Sequence, residues 1–136
     1  MTIEPGTVIK GAFSGSDVAA LIITRGSKLV AEGTASEPIV FTSASPNPQS
    51  GDWGGIVLCG KAPVNTSFTT STGAINGLFQ VEGGIDNANG DGLAGSGDAV
   101  APTPVPDDNS GTLQYVRIEY AGYAFQPDKE INSLTM

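Results

Sequence analysis

The chain has 136 residues, enough for one domain with a sizeable core and too few for two of full size. It carries 6 Lys and Arg against 14 Asp and Glu, a formal net charge of −8, and no His. That charge repels phosphate backbones, so no nucleic-acid partner is expected, and the missing imidazole excludes Ser-His-Asp and Cys-His catalysis and His-ligated zinc.

A single Cys, Cys59, leaves no internal disulfide and no Cys-based zinc site within one chain. The opening residues, MTIEPGTVIKG, have neither a basic region nor an apolar region of the kind that directs export. Any export signal is therefore expected outside this stretch, and Met1 reads as an artificial start because Thr2-Ile3 already reads as strand. No apolar run approaches the roughly 18 residues that span a bilayer, so no membrane span is expected.

Helical periodicity is absent, and short β-rich runs follow one another instead. They cover Thr7 to Lys10, Ala20 to Thr24, Lys28 to Ala31, Ile39 to Ser43, Gly55 to Cys59, Leu113 to Tyr120 and Ile131 to Met136. Most are bounded by Gly, Pro, Asn or Ser, the residues that turns require. In Ile39-Val40-Phe41-Thr42 a period of two puts Ile39 and Phe41 on one face. In 114–120 the same period sends Val116, Ile118 and Tyr120 inward and Tyr115, Arg117 and Glu119 outward.

Four runs close on Gly: Val8-Ile9-Lys10-Gly11, Val30-Ala31-Glu32-Gly33, Val57-Leu58-Cys59-Gly60 and Glu119-Tyr120-Ala121-Gly122. The Gly spacings are 22, 27 and 62 residues, and the first two suit one coil of a β-solenoid. The stretches IEPGT at 3–7 and AEGT at 31–34 offer a different alignment of the first two coils. Between the third and fourth runs lies an insertion, 66–110, rich in Gly, Ser, Thr, Asp and Pro. Residues 82–108 hold six acidic side chains and no basic one. A connection this long in a compact domain marks function or disorder. Within it, Ile75 and Leu78-Phe79-Gln80-Val81 suggest a short strand or cover.

The segments TIEPGTVIKG, LIITRGSKLVAEGTASEPIVFTSA, GDWGGIVLCGKAPVNT and DNSGTLQYVRIEYAGY, followed by INSLT, resemble a family of secreted bacterial proteins. These occur in Bacteroidetes and other Gram-negative bacteria and are expected to form right-handed parallel β-helices. The resemblance covers nearly the whole chain in order, and places the insertion where that family carries one. It implies an all-β solenoid over residues 1–136, an extracellular or cell-surface location, and a module cut from a longer relative. It implies no activity. In such a fold each coil pairs with the coils above and below, aliphatic side chains stack inside, and Gly, Asn and Pro turn the corners.

Three sets of residues offer chemistry. Asn87, Asn89, Asp91 and Asp98 imitate the spacing of a calcium loop, with Gly92 at the sixth position. Departures are Asn at the first position, Asp98 in place of a bidentate Glu, and no flanking helices. Asp86, Asp107 and Asp108 are further oxygen donors, and the same residues equally suit a solvated turn. On the second set, Tyr115, Arg117 and Glu119 form an exposed strip suited to an acidic polysaccharide, or an ordinary solvated strand face. A glycosidase needs a second carboxylate; the sequence identifies no partner for Glu119, and Asp52, Glu32 and Glu4 are those that could stack near it. Third, Trp53 in Gly51-Asp52-Trp53-Gly54-Gly55 suits stacking on a sugar ring or covering a core edge. Cys59 sits in an apolar run and reads as a small buried hydrophobe. Gly51, Gly54 and Gly55 make no phosphate loop, because no Lys-Ser/Thr pair follows.

The reading that joins these observations is a non-catalytic β-helix module used for adhesion or assembly. Its uncapped ends expose unpaired strand edges, so self-association, or association with adjoining coils, is expected, with filaments as the extended form. A carbohydrate-binding or polysaccharide-degrading protein is the alternative. Calcium is the one cofactor either version would take.

Overall fold

The computed structural model describes residues 1–13, 18–82, 87–126 and 129–136. Among them there is no α-helix. The first coil is β1 (Thr2–Ile3), β2 (Val8–Gly11) and β3 (Ala20–Ile23), and the second is β4 (Leu29–Glu32), β5 (Ile39–Ser43) and β6 (Gly55–Leu58). An excursion follows: β7 (Ser67–Thr70), β8 (Gly73–Asn76), β9 (Leu78–Gln80) and β10 (Leu93–Gly95). The third coil resumes with β11 (Gly111–Gln114) and β12 (Val116–Ile118). It detours through a hairpin, β13 (Ala124–Gln126) and β14 (Lys129–Glu130), and closes with β15 (Leu134–Thr135).

Three parallel sheets result, ordered β1-β4-β11, β2-β5-β12 and β3-β6-β15. The middle coil is therefore sandwiched on every side. This is a parallel β-helix of three coils, as the sequence led us to expect. Its register builds three internal ladders: Ile3, Ala31 and Leu113; Ile9, Phe41 and Ile118; Leu21, Ile56 and Leu134. Middle-coil members are sealed, with Ala31 and Ile56 at 0% exposure and Phe41 at 1%, whereas the end-coil members are only partly buried. Removing a sealed side chain such as Phe41 costs about 3–5 kcal/mol, the transfer loss plus the cavity.

The first three Gly-closed runs do not stack on one another, and only the fourth, which follows β12, shares a sheet with the first. Val8–Gly11 lies on the second sheet, the strand before Gly33 on the first, and the strand before Gly60 on the third. Gly closes each because a strand turns a corner there, not because a coil has been completed. The other alignment is the correct one, since Ile3 pairs with Ala31. Gly33 shows the steric reason for a corner glycine: a Cβ there would sit 2.8 Å from the Tyr115 carbonyl oxygen.

The expected single strand from Leu113 to Tyr120 is split at Tyr115, whose φ of 47° turns a corner in one residue. Tyr120, at φ 58°, ends the second piece and is 43% exposed, so it does not continue the inward row. Val116 and Ile118 do point inward.

The excursion is folded. β7 and β8 form one antiparallel hairpin, and β9 and β10 a second antiparallel pair. Leu78, Val81 and Leu93 are buried, as befits a cover. Val81 and Ala94 pack with Val57, Cys59, Ile131, Ala20 and Ile22 on the outer face of the third sheet. Both faces of β6 are consequently dry, which is why Ile56-Val57-Leu58-Cys59 reads as an unbroken apolar run rather than an alternating one. Cys59 is fully buried.

Candidate functional site

The strip on β12 starts from backbone geometry. Tyr115 and Tyr120 flank this strand with left-handed backbones, a conformation costly for a residue with a Cβ. Neighbours hold both: the Tyr115 carbonyl accepts from Ile39 N at 3.0 Å, and the Tyr120 carbonyl from Asp52 N at 2.9 Å. Both rings are exposed, at 54% and 43%. Between them Arg117 donates to the Glu119 carboxylate, forming an ion pair on the open surface. Such pairs contribute little to stability, because water competes for both charges. Tyr115, Arg117 and Glu119 thus lie where the alternation put them, and Tyr120 joins them.

Trp53 does not. It is 3% exposed, packed against Gly11, and its indole N–H donates to the Glu119 carbonyl at 2.8 Å. It closes the core beneath the strip and offers no stacking face to solvent. The carboxylates considered as partners for Glu119 are also accounted for. Glu32 pairs with Gln114 on the first sheet, Glu4 directly follows the paired Ile3, and Asp52 is held by the Ser43 hydroxyl at 2.6 Å and Gln49 N at 3.1 Å.

In the acidic excursion, Asn87 Oδ1 accepts from Asn89 N at 2.9 Å and Asp91 N at 3.4 Å, and its amide donates to Asp91 at 2.7 Å. These are the bonds of a self-contained Asx turn. Asp98 is engaged elsewhere. Arg25, in the turn after β3, grips both its oxygens, Nη1 to Oδ1 at 2.8 Å and Nη2 to Oδ2 at 2.7 Å. The same Nη2 lies 3.2 Å from where a Gly90 Cβ would be. The Asn87–Asp91 turn and Asp98 therefore close round a guanidinium. A calcium ion at Asp98 would have to displace that bidentate contact, so the four residues do not fit a shared cation shell. Among the described residues no group of three or more His, Cys, Asp and Glu gathers where a metal could sit. Asp98 titrates below the usual carboxylate range, chiefly because it accepts hydrogen bonds from Arg25. Asp86 lies outside the described residues.

Arg25 was not legible as a partner, being a lone basic residue in a Thr-Arg-Gly-Ser turn, 73 positions from Asp98.

The two ends of the solenoid form a third feature. At the N-terminal end a groove of about 460 Å³ opens over Ile3, Ile9, Leu21 and Phe41, beside Trp53. At the other end Leu113, Ile118 and Leu134 are half-covered rungs.

A family model described as a pectate-lyase-like β-helix domain matches residues 1–136. The chain belongs to that family. A search of curated proteins and a search of solved structures each find no match. For this pectate-lyase-like β-helix domain, the family agrees with the parallel sheets and stacked ladders described above.

Proposed function

We propose that this β-helix domain is a non-catalytic structural or adhesion module, exported to the cell surface or beyond, that attaches through its open ends. The observation that carries the reading is the contrast between coils. The ladders are sealed in the middle coil, and at both ends they stop at half-covered apolar rungs beside unpaired strand edges. Such edges are templates for further strands. The exported location rests on the sequence resemblance alone. Chemistry adds support: Glu119 is tied to Arg117, and a net charge of −8 disfavours an anionic polymer.

The test is an assay of the purified chain on uronate-rich and neutral polysaccharides, read by unsaturated-product absorbance and reducing ends, with a glycan array beside it. No turnover and no binding are expected. Turnover that Glu119→Gln abolishes would replace this reading with an enzymatic one.

One observation favours a second reading, carbohydrate binding. Two exposed tyrosines held in costly backbone conformations bracket the Arg117–Glu119 pair, and exposed aromatics stack on sugar rings. Glycan-array signal lost in both Tyr115→Ala and Tyr120→Ala would establish it.

A further inference from the structure

The two ends of this solenoid fit each other. Each end coil is in register with the same middle coil, so the register between the ends is determined. Ile9 and Ile118 both pair with Phe41, Ile3 and Leu113 with Ala31, and Leu21 and Leu134 with Ile56. If the third coil of one copy is set on the first coil of another at this register, the ladders continue as Leu113–Ile3, Ile118–Ile9 and Leu134–Leu21. Every internal contact is then aliphatic on aliphatic.

The backbone parity agrees. The Thr7 carbonyl accepts from Val40 N of β5 and the Gly11 carbonyl from Ala44 N just past it, so alternation turns the N–H and C=O of Val8 and Lys10 away from β5, to the open edge. On β12, the Tyr115 carbonyl and Glu119 N–H serve β5, so Val116 and Ile118 face the opposite edge. Val8 and Lys10 of one copy would meet Val116 and Ile118 of the next in the same alternation that β2 and β5 already use.

Charge agrees as well. Lys10 pairs with Thr42, and Glu119 donates its N–H one residue earlier, to Phe41, which aligns it with Thr42 too. In the stack Glu119 falls beside Lys10. Lys10 is exposed and makes no ion pair among the described residues, and Glu119 brings a half-buried carboxylate already paired with Arg117.

We infer that the partner of each end is the opposite end of a second copy, joined head to tail by parallel strand pairing with Lys10 against Glu119. This rests on the reading of the ends as docking surfaces and adds the identity of the occupant. The contact is heterologous and does not close, so it produces linear stacks.

The experiment is sedimentation velocity and negative-stain microscopy over a concentration series, on wild type, Lys10→Glu, Glu119→Lys and the double variant. Thermal melts establish that each variant is folded. The expected result is rods in the wild type and, in each single reversal, assembly weakened on the order of tenfold by like charges placed opposite each other. The double variant restores assembly. Mixing the two single variants restores it too, because every junction in an alternating stack is then Lys against Glu. Like-end pairing would never set residue 10 against residue 119, so the single reversals would assemble no more weakly than the wild type, and that outcome overturns the inference. So does a wild type that stays monomeric, which would point to other coils as the occupants and leave the non-catalytic reading standing. Turnover on a polysaccharide tests that reading separately.

Discussion

Arg25 and Asp98, 73 residues apart, meet in a bidentate ion pair that fastens the acidic excursion to the solenoid. The Arg25 side chain is 1% exposed and that of Asp98 is 14% exposed. Asp98 also accepts from Ala101 N at 2.9 Å, so one carboxylate orders its own loop and anchors it. Removing one partner strands the other charge in a dry place, which costs about 3–5 kcal/mol at buried sites. Arg25→Ala and Asp98→Ala should each lower the melting temperature sharply and open the excursion to protease. Arg25→Met combined with Asp98→Leu should cost less than either single change, because no charge is left unpaired. Chemical denaturation of the three variants checks this.

The same pair gives the pH response a sign. Asp98 has a folded pKa below its unfolded value near 3.8, so its stabilising effect is present in full above about pH 4. It is lost as pH falls further, through the lowered folded value. Melting temperature should therefore drop between pH 5 and pH 2.5 in the wild type and drop less in Asp98→Asn, which has nothing to protonate. Equal slopes in both proteins would show that the pair is not the acid-sensitive element.

Gly111 and Gly73 separate backbone strain from steric closure. Both have φ near +130°, yet a Cβ at Gly111 would lie 1.9 Å from the Leu29 carbonyl oxygen, and one at Gly73 meets nothing within 4 Å. Gly73→Ala should cost only the conformational term, about 1–3 kcal/mol. Gly111→Ala should cost clearly more, because it pushes β11 off β4 and breaks the entry to the third coil. Urea midpoints of the two variants make the comparison.

Trp53 is the chain's one tryptophan, so its emission reports on the core beneath β12. The folded protein should emit at short wavelength and shift red on unfolding. Trp53→Phe keeps most of the ring but leaves the part-buried Glu119 carbonyl without its indole donor, a loss of about 1 kcal/mol. Trp53→Ala should lose about 3–5 kcal/mol through the cavity it opens.

At Tyr115 and Tyr120 the backbone carries a cost that the side chain does not recover by burial. Asn tolerates the left-handed region, and a β-branched residue does not. Tyr115→Asn should leave the melting temperature unchanged or raise it, whereas Tyr115→Val should lower it. The reverse order would mean that the ring makes the larger contribution.

Much of the architecture could be read from local chemistry. Runs of two to five β-formers between Gly, Pro and Asn can only be short strands, and apolar alternation in Ile39–Phe41 and Val116–Ile118 gave the inward face. The outward placement of Tyr115, Arg117 and Glu119 followed from the same period. The coil phase did not follow, because Gly marks every corner of the solenoid alike and cannot say which corner lies above which. That needed hydrogen-bond register, which joins Ile3 to Ala31 and Leu113 across the chain. The calcium-like spacing at Asn87, Asn89, Asp91 and Asp98 could not show the Arg25 contact for a related reason: spacing gives the order of ligand atoms, not what occupies the space between them. Only the tertiary fold brings Arg25 there. It likewise turns Trp53 into the core and Tyr120 out of it, since a one-residue corner changes which way the next side chain points.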